Sequence, residues 1–162
     1  MSQLKVNSII PVAGVPTGGG GGITQTKQTV KTDTTSTTST SYVDTGLSVS
    51  ITPTSTSNKI LVLYNLIGSA DIANSGVQFR LLRGSTSIYT NDTGDITFQG
   101  SSTNDFGYVG FAGQFLDSPS TTSETTYKFQ FLNSAGTTSY INRSTNGTSS
   151  SPSSITVMEV SA

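Results

Sequence analysis

The chain has 162 residues, of which 10% are charged and 32% are hydrophobic, and its formal net charge is −1. Ser and Thr supply roughly a third of the residues, and the charged fraction is far below the ~25% of typical globular domains. This balance argues against a nucleic-acid-binding protein, which presents a basic stripe, and against a disordered chain, which combines low hydrophobicity with high net charge. Membrane insertion is not expected either, because no apolar run approaches the ~20 residues of a membrane span.

The first stretch of the chain, Met1–Gly22, differs in composition from the rest. Prolines favour extended backbone over helix, and the run of glycines at Gly18–Gly22 is a flexible tether. We interpret residues 1–22 as an extended arm that docks on a neighbouring subunit; a disordered tail is the alternative. The residues expected to anchor it are Leu4, Val6, Ile9, Ile10, Pro11, Val12, Val15 and Pro16.

Residues 23–162 show the period-two or continuous apolar runs that predict β-strands, broken by Ser, Thr, Gly and Asn. Thr24–Val30 is a polar edge-strand candidate, and Thr34–Ser41 is either a loop or an exposed strand. Tyr42–Ile51 ends in clean alternation. Lys59–Ile67 is apolar on both faces, which predicts a central strand that is covered on both sides.

The second half of the chain continues the pattern. Asn91–Asn104 is the longest polar stretch, in which Ile96 and Phe98 are the only apolar residues of any size. Arg143–Ser154 is expected to be a low-complexity loop. Strands are predicted at Gly76–Arg83, Ser85–Thr90, Gly107–Leu116, Thr125–Phe131, Ser139–Asn142 and from Ile155 to the C-terminus. In Gly107–Leu116 the small residues leave room for close approach of another sheet or chain.

About eight strands and no helix predict an all-β fold, an antiparallel β-sandwich of jelly-roll type, preceded by the extended N-terminal arm. Such sheets have edges that must be protected from pairing with other chains. The low charge count gives weak protection, so packing into a symmetric oligomer is expected to cover them.

The sequence lacks the usual means of catalysis, since it contains no His and no Cys. The commonest general base and the thiol nucleophile are therefore missing, and no G-x-S-x-G elbow occurs. The acidic residues do not single out the carboxylate pair that a glycosidase needs. The turn Asn91–Asp95 could supply oxygen ligands for calcium, but the same residues form an ordinary turn. We predict no enzyme activity, no cofactor and no metal site.

Surface recognition is the function that the remaining polar and aromatic residues favour. Tyrosines near turns can stack on sugars, but their ordinary role is to cap the sheets with their hydroxyls at the surface. The two candidate loops are Asn91–Asn104 and Arg143–Ser154. The candidate recognition residues are Tyr89, Asn91, Asp95, Tyr108, Tyr140 and Arg143.

Several segments resemble a group of short virion proteins of tailed bacteriophages, particularly phages of marine cyanobacteria, described as structural or tail-fibre proteins. The resemblance covers essentially the whole chain, and its motifs are structural. The segments are LKVNSIIPVAGVPTGGGGG, TGLSVSITPTSTSNKILVLY, FRLLRGST, FLDSPSTTSETTYKFQF and SSITVMEVSA. Unlike long tail fibres, this chain lacks a shaft repeat and coiled-coil heptads, so the resemblance implies a short appendage.

The resemblance implies a virion component, assembled in the host cytoplasm and then extracellular, with the arm attached to other virion proteins and the β-domain exposed. It also implies a homotrimer, as is common for phage fibres. From the residues themselves, we expect the Gly and Ala positions of Gly107–Leu116 to form the contact between subunits. A host-surface glycan or protein is a further expected partner. The alternative is a capsid decoration or head-fibre protein that stabilises the shell; few copies per particle would fit a tail, and many would fit a capsid.

Overall fold

A computed structural model describes residues 22–71, 75–90, 96–98, 109–147 and 149–162. Within those ranges the chain is all β, with eleven strands and no helix. Every strand pairing is antiparallel. The predicted antiparallel β-sandwich is therefore confirmed. The arm residues Leu4–Pro16 lie outside the described residues.

The strands follow the sequence pattern closely, and three of them are only three residues long. In chain order they are β1 (Ile23–Lys31), β2 (Thr35–Thr37), β3 (Val43–Ile51), β4 (Lys59–Ala70), β5 (Ser75–Arg83), β6 (Thr86–Thr90), β7 (Ile96–Phe98), β8 (Val109–Asp117), β9 (Thr125–Asn133), β10 (Ser139–Ile141) and β11 (Ser153–Val160).

Six strands form one layer, called here the large sheet. Its central strand is β4, which pairs with β8 along one edge and with β11 and β10 along the other. The outermost strands on that second side are β1, paired with β11, and β2, paired with β10. The polar segment predicted as an edge strand is β1, and it does lie at the edge.

Five strands form the second layer, called here the small sheet, with the order β3-β9-β5 and then β6 and β7 side by side on β5. The core lies between the two sheets and is built from alternate positions, because successive side chains of a strand point to opposite faces. Tyr127, Phe129 and Phe131 of β9 are buried against aliphatic residues of both sheets.

A carboxylate is also buried on the inner face of the large sheet. Glu159 follows Ile155 and Val157 in the inward alternation of β11 and is 0% exposed. Its oxygens accept hydrogen bonds from Gln25 Nε2 (2.6 Å), Asn58 Nδ2 (2.7 Å), and the backbone N (2.6 Å) and Oγ1 (2.9 Å) of Thr54. These bonds join the turn after β3 to β1 and β11.

Two expectations about loops need correction. Arg143–Ser154 is not wholly a loop, because Ser153 and Ser154 begin β11 and Arg143 forms a bridge with Ser150. The count of about eight strands is too low, because the sequence leaves β2 as either a loop or an exposed strand and shows β7 as two isolated apolar residues, whereas the short strand predicted at Ser139–Asn142 is β10. Three residues are too few to show alternation.

Candidate interaction surfaces

An aromatic cleft of about 300 Å³ opens between the two sheets, where the edge strands β8 and β6 approach each other. Tyr89, on β6 opposite Leu81, is 44% exposed. Its ring lies 5.9 Å from that of Phe115 on β8 and so connects the two edges. The walls include Tyr64, Phe79, Arg80, Phe111 and Phe129.

The cleft depends on a glycine in β8. Gly113 points inward with Phe111 and Phe115, and a Cβ at this position would collide with the Tyr64 hydroxyl. The Tyr64 ring can therefore lie under β8, 4.8 Å from that of Phe129. Burial raises the pKa of Tyr64, so its hydroxyl is a neutral donor and acceptor near the cleft at ordinary pH.

Arg80 connects this cleft to the outer surface of the small sheet. Its Nε donates to Gln130 Oε1 at 2.8 Å, and its guanidinium lies 4.3 Å above the ring of Tyr42. Gln130 Nε2 in turn donates to Asp44 Oδ1 (2.6 Å), and Lys128 Nζ donates to Asp44 Oδ2 (2.9 Å). The hydrogen bond from Gln130, followed by that from Lys128, lowers the pKa of Asp44. The outer face of the small sheet thus carries a charged, hydrogen-bonded network.

A second candidate surface lies on the outer side of the large sheet, where β10 meets β4. Tyr140 pairs with Ser69 on that side, and its hydroxyl donates to Asp71 Oδ2 at 3.2 Å. The Arg143 guanidinium stacks 4.4 Å above the Tyr140 ring. Burial, and then the hydrogen bond to Asp71, raises the pKa of Tyr140. A neutral tyrosine, a cation and a carboxylate are therefore presented together.

Backbone geometry holds this second cluster in place. Gly147 has a φ of 72°, and a Cβ there would come within 2.8 Å of the Arg143 guanidinium. Arg143 therefore lies between a glycine and an aromatic ring. Asn142, at a φ of 61°, is buried and donates to the backbone oxygens of Lys31 (2.7 Å) and Asp33 (3.0 Å). These bonds fix the residue that precedes Arg143.

The candidate recognition residues thus fall into two groups. The structure brings Tyr140 and Arg143 together and places Tyr89 elsewhere, on the small sheet. Asn91, Asp95 and Tyr108 lie outside the described residues. Sequence reasoning did not identify Asp71, Arg80 or Gly147, which complete the two surfaces; for Arg80 the only signal was its outward position in β5.

Further observations bear on the chemistry available to the chain. In the described ranges, no three His, Cys, Asp or Glu side chains are grouped so as to hold a metal ion. The same ranges contain no apolar helix of membrane-spanning length.

Comparisons with known proteins give structural neighbours only. No protein-family model and no curated protein matches the chain. Among solved structures, it is similar to the infectious bursal disease virus VP2 subviral particle, with 12% identity and a TM-score of 0.42 over 85% of this chain and 33% of that one. For the T=1 particles derived from that virus, the identity is 11% and the TM-score 0.43, over 86% of this chain and 37% of that one. For the Gt strain of the virus, the identity is 15% and the TM-score 0.41, over 94% of this chain and 43% of that one.

The chain spans between a third and a half of the length of these neighbours. With identities of 15% or less and TM-scores below 0.5, these neighbours support no conclusion about function.

Proposed function

We propose that this chain is a non-enzymatic structural protein of a virion, a short fibre or appendage module of a tailed bacteriophage. In this proposal the arm residues Leu4–Pro16 bind a neighbouring virion protein, and the β-sandwich projects outward as a homotrimer that contacts the host surface. The resemblance of the whole chain to short phage virion proteins supports the proposal, as does the absence of His and Cys from the sequence.

The observation that carries the proposal is the position of Gly22, the residue that joins the arm to β1. Gly22 is exposed, and its carbonyl accepts a hydrogen bond from Ser161 N at 3.0 Å. The arm therefore begins at a surface edge, beside β1. From there, the 21 preceding residues could span up to about 70 Å if fully extended, at ~3.3 Å per residue, which is ample to reach a neighbouring subunit.

Host contact would use many weak sites in parallel. The aromatic cleft at Tyr89 and the Tyr140–Arg143 cluster offer ring faces and hydrogen-bonding groups of the kind that stack on sugars. Each site alone would bind weakly, but several copies on one particle would multiply the apparent affinity.

Attachment to particles that lack this protein tests the proposal. The full chain should attach, and a chain that begins at Ile23 should not. Within the full chain, Ile9→Asp with Ile10→Asp should abolish attachment, because charges cannot enter an apolar docking site. The matched control, Gly19→Ser with Gly20→Ser, changes the tether and should attach normally.

Equal attachment by the full and shortened chains would contradict the arm as anchor. The sandwich itself would then be the docking surface, and the decoration-protein alternative would replace the proposal. Electron microscopy of the reconstituted particles would show whether the protein lies on the tail or on the capsid.

A further inference from the structure

The outer face of the large sheet combines aliphatic side chains with neutral polar ones. The strand register places Leu116, Leu61 and Met158 in one row across β8, β4 and β11, with Gln114, Leu63 and Thr156 in the next. We call this surface the uncharged face and define it by Val30, Leu61, Leu63, Ile67, Leu116 and Met158.

Most of the exposed apolar side chains lie on the outer side of the large sheet. Four large apolar side chains are exposed in the described ranges, and three of them point outward from the large sheet: Ile23 (59%), Leu116 (53%) and Val30 (51%). Single exposed apolar residues are normal, but a contiguous patch marks an interaction surface. The register makes Leu61, Leu63, Leu116 and Met158 such a patch, in which the β4 residues are half-buried, and it places Val30 at the margin beside Ser154.

Charge is distributed unequally between the two outer faces. No charged residue occupies the outward positions of β8 from Gly110 to Leu116, of β4 from Leu61 to Ile67, or of β11. The small sheet instead carries Asp44, Lys128 and Arg80. Among the described residues, charged groups border the uncharged face at its ends, at Lys59 on one and at Arg143 with Asp71 on the other. An apolar centre within a polar rim is the usual composition of a protein interface.

We propose that the uncharged face packs against the same face of other copies of this chain. The inference rests on the self-association included in the proposed function and adds the surface that carries it. In a trimer, three such faces would turn towards the threefold axis. An uncharged surface can meet itself without repulsion, which a surface of one charge sign cannot.

The size of the face is sufficient for such contact. The face spans four strands at ~4.8 Å spacing and about eight residues along each strand at ~3.3 Å per residue. Its area is therefore roughly 500 Å² per copy. Two copies would bury roughly 1,000 Å² in total, which is the lower bound for a specific interface.

Backbone hydrogen bonding favours a second sheet over the chain's own arm as the occupant. Between its edge strands the backbone groups of the large sheet are already paired within it, so two such faces can pack through side chains alone, about 10 Å apart. A single extended peptide lying on the face would leave its own N–H and C=O groups without partners in a dry contact.

The mass of the full chain in solution tests the inference. Sedimentation equilibrium should show an oligomer for the natural sequence and at least ~100-fold weaker association for Val30→Glu with Leu116→Glu, because unpaired charges would be buried in the contact. Both positions are half exposed in the single chain, so the folded sandwich should tolerate the two glutamates.

The matched control is Ser48→Glu with Ser87→Glu, at exposed outward positions of the small sheet, and it should associate normally. A monomeric natural chain, or unchanged association of the Val30/Leu116 variant, would overturn the inference.

The alkylation rate of a single introduced thiol is a second test of whether the face is covered, and it does not depend on disruptive charges. Because the chain contains no Cys, Leu116→Cys introduces a unique thiol, with Ser87→Cys as its exposed control. Slow alkylation of Cys at position 116 in an oligomer, with fast alkylation at 87, supports the inference; slow alkylation in a monomer would show that another segment covers the face.

The outcomes also separate this inference from the proposed function. Oligomers that form through this face but do not attach to particles would leave the inference standing and remove the virion proposal. Attachment by a monomeric chain would remove the inference, and with it the homotrimer of the proposed function, but it would leave the arm as the virion anchor.

Discussion

At the scale of single residues, Glu159 shows how the fold uses a buried charge without a cation. Burial by itself would raise the pKa of this carboxyl. The hydrogen bonds from Asn58, Gln25 and Thr54 outweigh that effect and lower the pKa from 4.5 to about 2. A carboxyl with a lowered pKa in the folded state stabilises the fold when it is ionised.

The folded-state pKa of Glu159 predicts a specific pH dependence. Its stabilisation should be fully present above about pH 4.5 and should be lost as the pH falls towards about 2. Glu159→Gln should reduce the free energy of unfolding at neutral pH by about 1–3 kcal/mol, because charge-assisted hydrogen bonds are replaced. Urea unfolding of both proteins from neutral to acid pH measures this.

The control for the pH experiment is Glu124→Gln, which changes an exposed carboxyl in the turn before β9. It should leave the free energy of unfolding almost unchanged at every pH. A Glu159→Gln protein with the same acid sensitivity as the natural chain would show that another carboxyl controls acid unfolding.

Gly113 gives a second prediction at the residue scale. Gly113→Ala should destabilise the protein by about 1–3 kcal/mol, because overpacking forces the Tyr64 ring from its position. Gly110→Ala is the matched control, since its Cβ would lie at an ordinary 3.5 Å from Ile67. Thermal unfolding of the two variants compares them directly. Equal stability would mean that Tyr64 moves freely, and the cleft would then not have a fixed wall.

At the scale of elements, β6 and β10 carry the two candidate recognition surfaces on different sheets. Tyr89→Ala and Tyr140→Ala should each weaken binding of the outward-facing sandwich to host-envelope glycans, by roughly 10-fold if an aromatic ring is the main contact. Glycan-array binding at fixed oligomer concentration measures the loss, with Ser48→Ala as a control. Unchanged binding in both tyrosine variants would remove these surfaces as recognition sites.

The strands themselves show what local pattern predicts. The period-two alternation visible in the sequences of β3, β5, β9 and β11 matches the inward and outward residues of the structure, because successive side chains point to opposite faces whatever the strand pairs with. The same alternation puts Glu159 on the face of Val157, which the structure shows to be the inner one. It could not show that Gln25, Thr54 and Asn58 would meet it there, since those residues come from distant parts of the chain.

At the scale of the whole molecule, the small number of charges has a consequence for assembly. If the uncharged face joins the copies, association should hardly change between about 0.05 and about 0.5 M NaCl, because there are no charge pairs across the contact for salt to screen. Sedimentation equilibrium across that range measures it. A strong loss of association with salt would indicate that the charged network of the small sheet forms the contact instead.

The continuous apolar run in β4 is a feature of the sequence that bears on how copies of the chain assemble. Its sequence predicts cover on both sides, and its inner residues Ile60, Val62 and Leu66 are indeed buried. Its outer residues are only half-buried in the single chain. In a single copy the outer side of β4 therefore lacks the cover that its sequence predicts, and a second copy packed on that side would provide it.

The sequence by itself determined the all-β class, most strand positions, the inward and outward faces and the lack of His or Cys chemistry, because these follow from composition and a two-residue period. Only the tertiary structure decided which strands are neighbours, such as β1 beside β11 at opposite ends of the chain. It also decided that Tyr140 meets Arg143 and Asp71, that Gly113 makes room for Tyr64, and that the exposed aliphatic residues share one face. Strand pairing between distant segments is a property of the whole fold, and no local pattern encodes it.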